Sequence, residues 1–185
     1  MKKTVVLLVF LLPQISLALG GYVGGGLGVA DVSIKATNNN EDIYDPSSSI
    51  AGRVGLNFND MFTLGFGINS WVSIAEDSLG NDNSVTVIPL LFEFNYYPME
   101  GHSGFYIGVN AGIVQETVTI TTFGGETEFS ETETGYGGQL GWNFNLSQSK
   151  RHTLGGEFRY IHVDGDPQTY SFVAGLVMYN FWFGN

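Results

Sequence analysis

Four ionisable residues stand at matched heights in otherwise uncharged, alternating sequence: Arg53, Glu93, Glu157 and Arg159. Arg53 lies about five residues before the Asn59-Asp60 pair, Glu93 five before Pro98 and Glu157 five after His152, with Arg159 one pleat further. Two acids and two bases at one level of a narrow interior must pair, because an unpaired buried charge is expensive and a paired set is close to neutral. Such a set either fills a polar interior or works as an ion gate whose pairs exchange. His162-x-Asp164 is the other constellation with chemical potential, an imidazole with a carboxylate two residues on. Nucleophilic catalysis there needs a hydroxyl or thiol within reach, but the position two beyond His162 is an acid and the chain has no Cys. His102-Ser103 falls in a short turn away from these residues. His162, Asp164 and Asp166 offer metal donors, yet three residues of one loop do not make a dedicated site. The glycines from Gly20 to Gly28 do not fit the G-x-G-x-x-G spacing of a dinucleotide loop and open no helix. The expectation is therefore no catalytic residue, no cofactor and no metal.

The elements that must position the quartet are strands. Period-2 alternation predicts them near 21–35, 48–58, 61–75, 84–97, 104–121, 132–146, 152–163 and 169–183. Asn59-Asp60, Pro98 to Ser103 and Ser147 to Arg151 are short connections. Ala36 to Pro46, Glu76 to Asn83 and Thr122 to Glu131 are longer and polar, and Asp164 to Gln168 is a compact last loop on the long-loop side. Alternating short turns and long loops around an even number of strands mark a transmembrane barrel. The two faces of each strand decide against a soluble barrel. Phe62, Leu64, Phe66 and Ile68 oppose Thr63, Gly65, Gly67 and Asn69, while Ile107, Val109 and Ala111 oppose Gly108, Asn110 and Gly112. The smaller face is too slight and polar to be an outer surface opposite a core, so it reads as a polar lumen and the large apolar face as lipid-facing. Phe58, Phe62, Phe92, Phe94, Tyr96, Phe105, Trp142, Phe144 and Phe181 cluster near the short-turn ends, as an interfacial aromatic girdle would. The last strand fits less well, because Leu176 and Met178 fall on the lumen phase.

Lys2 and Lys3, the apolar run from Val5 to Leu12 and Ser16-Leu17-Ala18 read as a secretory signal over residues 1–18. Residues 19–185 then form one barrel domain. Without Lys2 and Lys3, five basic residues face eighteen acidic ones, a formal charge of −13. Nucleic acid, which needs clustered Lys and Arg, is excluded as a partner.

"GGYVGGGLGVADV", Gly20 to Val32, resembles the opening strand of the small OmpA-like outer-membrane β-barrel family. "FRYIHVDGDPQTYSFVAGLVMYNF", Phe158 to Phe181, is similar to its closing hairpin. The resemblance implies an all-β, eight-stranded antiparallel up-and-down transmembrane barrel in the bacterial outer membrane, inserted by the barrel-assembly machinery, with a charged and mostly closed lumen. The family's assembly signal usually ends on an aromatic, whereas here Phe181 is followed by Trp182-Phe183-Gly184-Asn185. The segment around His162 also resembles the His-x-Ser strand of the lipid A deacylases, with Asp164 standing where their Ser would be.

Three functions remain open. The first is a structural or surface-interaction role (envelope integrity, adhesion or resistance to host factors) through an acidic loop rim of Glu41, Asp42, Asp45, Glu126, Glu128, Glu131, Glu133, Asp164 and Asp166. That rim is a solvated surface, a divalent-cation bridge to lipopolysaccharide phosphates, or a dock for a basic host or phage component. The second is a narrow cation-preferring pore, and the third is a lipid A-modifying enzyme, which lacks a nucleophile.

Overall fold

The computed structural model describes residues 20–36, 39–40, 46–76, 82–122, 125–165 and 169–184. The expected signal segment therefore lies outside the described residues. Eight long strands follow one another: β1 Gly20–Ala36, β2 Ser47–Asn59, β3 Phe62–Glu76, β4 Asp82–Tyr96, β5 Gly104–Thr122, β6 Gly125–Asn145, β7 His152–Asp164 and β8 Thr169–Phe183. Each pairs antiparallel with the next, and β1 pairs with β8 from Gly21↔Phe183 to Lys35↔Thr169, which closes the barrel and leaves no edge along that seam. A two-residue segment, Asn39–Asn40, folds back on the end of β1. Among the described residues no helix is long and apolar enough to cross a membrane; a closed barrel needs none, since each strand's backbone groups are satisfied by its neighbours.

The outer wall carries Leu27, Val54, Phe66, Ile68, Phe92, Ile107, Val109, Leu140, Phe158 and Val177, all exposed. Only hydrocarbon solvates such a band without cost. The expected girdle lies at the short-turn end of this wall, where Phe62 packs on Phe94 and Tyr96 at 5.8 and 5.1 Å and Trp142 on Phe144 at 6.4 Å. Ile68→Lys, in the middle of β3 on this wall, is expected to cost about 2–4 kcal/mol of stability in lipid vesicles. Equilibrium unfolding from liposomes checks it; a neutral or stabilising effect would mean that the wall faces water.

Two expectations need correction. The segment Thr122 to Glu131 is not a loop: β5 and β6 continue as a ribbon from Val114↔Glu133 to Thr122↔Gly125. Its alternation is Thr and Glu rather than apolar and polar, so the hydrophobic period vanishes above the apolar band while the β-favouring residues remain. The lumen is also not polar throughout. Its long-loop half is a hydrophobic core of Ala30, Val32, Trp71, Val85, Val87, Leu91, Val114, Ile161, Val163, Phe172 and Ala174, and Leu176 and Met178 of the same cluster reach down to the level of Glu157. An eight-stranded barrel is just wide enough for side chains to fill it, and large apolar ones fill this half. Leu176 and Met178 therefore belong where the alternation placed them.

Candidate functional site

Below the apolar half, the strands bring all four lumen charges together. Arg53 on β2 places Nη1 2.8 Å from Glu157 Oε2 on β7. Arg159 Nη2 lies 2.7 Å from Glu157 Oε1 and 2.7 Å from Glu93 Oε1 on β4. The order is Arg53–Glu157–Arg159–Glu93, so Glu157 joins both guanidinium groups and the set carries no net charge. None of the four is more than 4% exposed. Neutral groups tie the set to the wall. Arg53 Nε donates to Asn180 Oδ1 at 2.7 Å, the Tyr106 hydroxyl donates to Glu157, and Gln139 Nε2 donates to Glu93 Oε2 at 3.4 Å. Arg53 also sits over the Tyr22 and Tyr106 rings, at 6.0 and 5.8 Å from their centroids, in the range of a cation–π contact. The inward glycines make room for this network. A Cβ on Gly67 would fall 1.9 Å from Glu93 Oε1, so Ala at this position would displace the acid.

A third layer closes the short-turn end. Tyr22, Tyr97, Tyr106 and Trp182 form a separate buried cluster. Tyr97 stacks on Tyr106 at 5.0 Å, Tyr22 meets Trp182 at 4.9 Å, and the His102 ring lies flat on Trp182 at 3.9 Å with 11° between planes. His102 comes from the 3-10 turn Glu100–His102. Burial pushes its imidazole below the ordinary value of 6.5, against the opposing pull of the Asp60 carboxylate and the Asn59 carbonyl. With a depressed folded pKa, this stability is in place above the ordinary value and is lost as pH falls through the depressed one, because the unfolded chain takes up the proton first. The barrel should weaken as pH falls below 6.5, and His102→Gln should flatten that part of an unfolding-versus-pH curve.

Glu126 and Glu128 are exposed on the ribbon, in the outward phase of β6, whereas Glu131 and Glu133 share the inward phase with Gln139. Glu131 stands directly opposite Glu116 of β5. Burial, then Glu131 and Glu133, push the Glu116 carboxyl up. Sequence reasoning missed Glu116 because it lies inside a strand, and only pairing register could have shown the acid facing it. Glu41, Asp42, Asp45 and Asp166 lie outside the described residues. The expected rim is thus in part a β-ribbon with acids on both faces. His162 is on the outer wall, with Nε2 3.1 Å from exposed Asp164 Oδ1 and its ring 5.3 Å from that of Tyr136. Ser171 is its cross-strand partner, a hydroxyl that sequence spacing could not reveal. The Ser171 hydroxyl bonds Tyr160 Oη at 3.1 Å.

Residues 4–181 match the family described as outer membrane protein beta-barrel domain. The chain belongs to this family. It is a bacterial outer-membrane protein, and in such barrels the short turns face the periplasm. No curated protein sequence matches it. Among solved structures, this outer-membrane barrel is similar to Ail, the attachment invasion locus protein of Yersinia pestis, in complex with the heparin analogue sucrose octasulfate, at 14% identity and a TM-score of 0.62 over 87% of this chain and 99% of that one. Neisserial surface protein A is 14% identical with a TM-score of 0.57, covering 87% of this chain and 96% of its own. OprG from Pseudomonas aeruginosa is 14% identical with a TM-score of 0.56, over 91% and 97%. At these identities the likeness is one of fold. In this outer-membrane barrel an apolar core, a neutral charge network and an aromatic floor fill the lumen, the floor lying at the short-turn end.

Proposed function

We propose that this barrel is a surface-interaction protein whose membrane part is a closed scaffold and whose acidic β5–β6 ribbon engages a basic partner outside the cell. The observation that carries this reading is the ribbon itself. It continues well beyond the apolar band, and from Glu126 to Glu133 the β6 strand pairs with β5 alone among the described residues. Such an edge offers alternate backbone N–H and C=O groups to an added extended segment, and four acids along it select for positive charge. Phe129, 56% exposed, supplies an apolar contact on the same edge. The sucrose octasulfate held by Ail is a polyanion, and this ribbon would repel one. Lipopolysaccharide phosphates would likewise meet it only through divalent cations. The filled lumen supports a scaffold over the pore alternative, since an apolar constriction gates by excluding water. The surface role covers adhesion, envelope integrity and resistance to host factors, and the outcome depends on which basic component is met.

The test uses folded barrel, verified by heat-shifted gel mobility, with a lysine–valine alternating peptide as probe. Saturable binding that weakens with salt, and drops about tenfold or more in Glu126→Gln/Glu128→Gln/Glu131→Gln, is expected. Equal binding by the triple variant would remove the ribbon from the function. Planar-bilayer recordings of the same material are expected to be silent; steady cation-selective steps would move the function to transport.

A further inference from the structure

Beneath the aromatic floor the periplasmic turns enclose a cavity of about 190 Å³. Its lining comes from all three short connections and the end of β8, including Asp60, His102, Lys150, Arg151 and Trp182. Because these connections lie around the whole circumference, the cavity sits under the lumen and opens to the periplasm rather than onto the lipid-facing wall. Its charge is unusual for this protein. The chain is strongly acidic, with a formal net charge of −11, and two of its arginines, Arg53 and Arg159, are bound to Glu157 and Glu93. Lys150 and Arg151 are adjacent and exposed, and among the described residues neither has a carboxylate within salt-bridge range. One acid, Asp60, shares the lining with them. The imidazole of His102, only 5% exposed, is fixed against Trp182 in the same wall, and its Nε2 is buried without a hydrogen-bond partner.

We propose that this cavity binds a phosphate group presented from the periplasmic side, held by Lys150 and Arg151 with His102 as a further polar contact. Two adjacent cations suit a multiply charged oxyanion better than a single carboxylate, because arginine matches phosphate geometry and lysine adds a point charge. The cavity volume accommodates the group with part of its hydration. The phosphate can belong to a soluble periplasmic molecule or to a phospholipid head group of the inner leaflet; the axial position favours the soluble source.

The experiment titrates inorganic phosphate, at pH 7 and constant ionic strength, into folded barrel in octyl glucoside, a detergent without phosphate. The readouts are the His102 ring-nitrogen and Trp182 indole resonances. Saturable shifts at both are expected. They should weaken about tenfold or more in Lys150→Gln/Arg151→Gln, whose positions lie in an exposed turn and do not threaten folding. A second arm repeats the titration in nanodiscs of phosphatidylglycerol. Unchanged phosphate binding there supports a soluble ligand. Prior occupation, seen as shifted resonances that added phosphate no longer moves, supports the head group. The absence of saturable shifts in octyl glucoside, or equal shifts in the double variant, overturns the proposal.

Discussion

Glu157→Gln is expected to destabilise the barrel by about 3–5 kcal/mol, the cost of breaking a buried ion pair by removing one partner. Glu157 is the carboxylate shared by both arginines, at 2.8 Å from Arg53 and 2.7 Å from Arg159. Arg159 would keep Glu93, but Arg53 would be left with Asn180 and two tyrosine faces, none of which carries charge. Desolvation cannot be recovered from those contacts. Replacing all four charges together with apolar residues of similar volume should cost far less, because no charge would remain to be solvated. Guanidinium unfolding in lipid vesicles, followed by tryptophan emission and by gel mobility, measures both variants. A loss of under about 1 kcal/mol for Glu157→Gln would place the pair in a solvent-like setting. Water would then reach the network, and the case for a sealed lumen would fail with it.

The strand framework was legible because two solvents act on it. Wherever lipid wets one face and a filled lumen the other, alternation is strict, and seven of the eight predicted strands lie within two residues of the observed ones. The exception is β6, which begins at Gly125 because its outer part is wet on both faces and leaves no hydrophobic period to read. The meeting of Arg53, Glu93, Glu157 and Arg159 could be inferred from height and phase, since a charge on the other face would lie in hydrocarbon. What surrounds them could not. Tyr106, Asn180 and Gln139 reach the network through barrel closure, and no spacing along the chain encodes that. The opposition of Glu116 and Glu131 and the pairing of His162 with Ser171 depend on register between strands. The apolar half of the lumen was written in Leu176, Met178 and Phe172, but an interior of mixed character has no single sequence pattern: the same inward phase carries Glu157 and Arg159 on β7 and Ile161 and Val163 just above them.

Trp71→Ala is expected to lower stability by about 3–5 kcal/mol, the cost of emptying the site of a large buried aromatic. Trp71 is fully buried in the apolar half of the lumen, and its Nε1 donates to the Ala30 carbonyl at 2.8 Å. The substitution thus removes packing and leaves a buried acceptor without that donor, and the β-barrel wall around it is too rigid to collapse inward. The effect on conduction should be different. A cavity in the outer half does not connect the two ends of the lumen, because the charge network and the Tyr22, Tyr97, Tyr106 and Trp182 floor still fill the path below. Planar bilayers with Trp71→Ala should therefore remain silent even as denaturation midpoints fall. Conductance appearing with this single change would mean that the apolar core alone had been the seal. The barrel would then be a pore held shut by one layer, Glu93 and Glu157 would become its selectivity groups, and the acidic ribbon would be its antechamber rather than its binding surface.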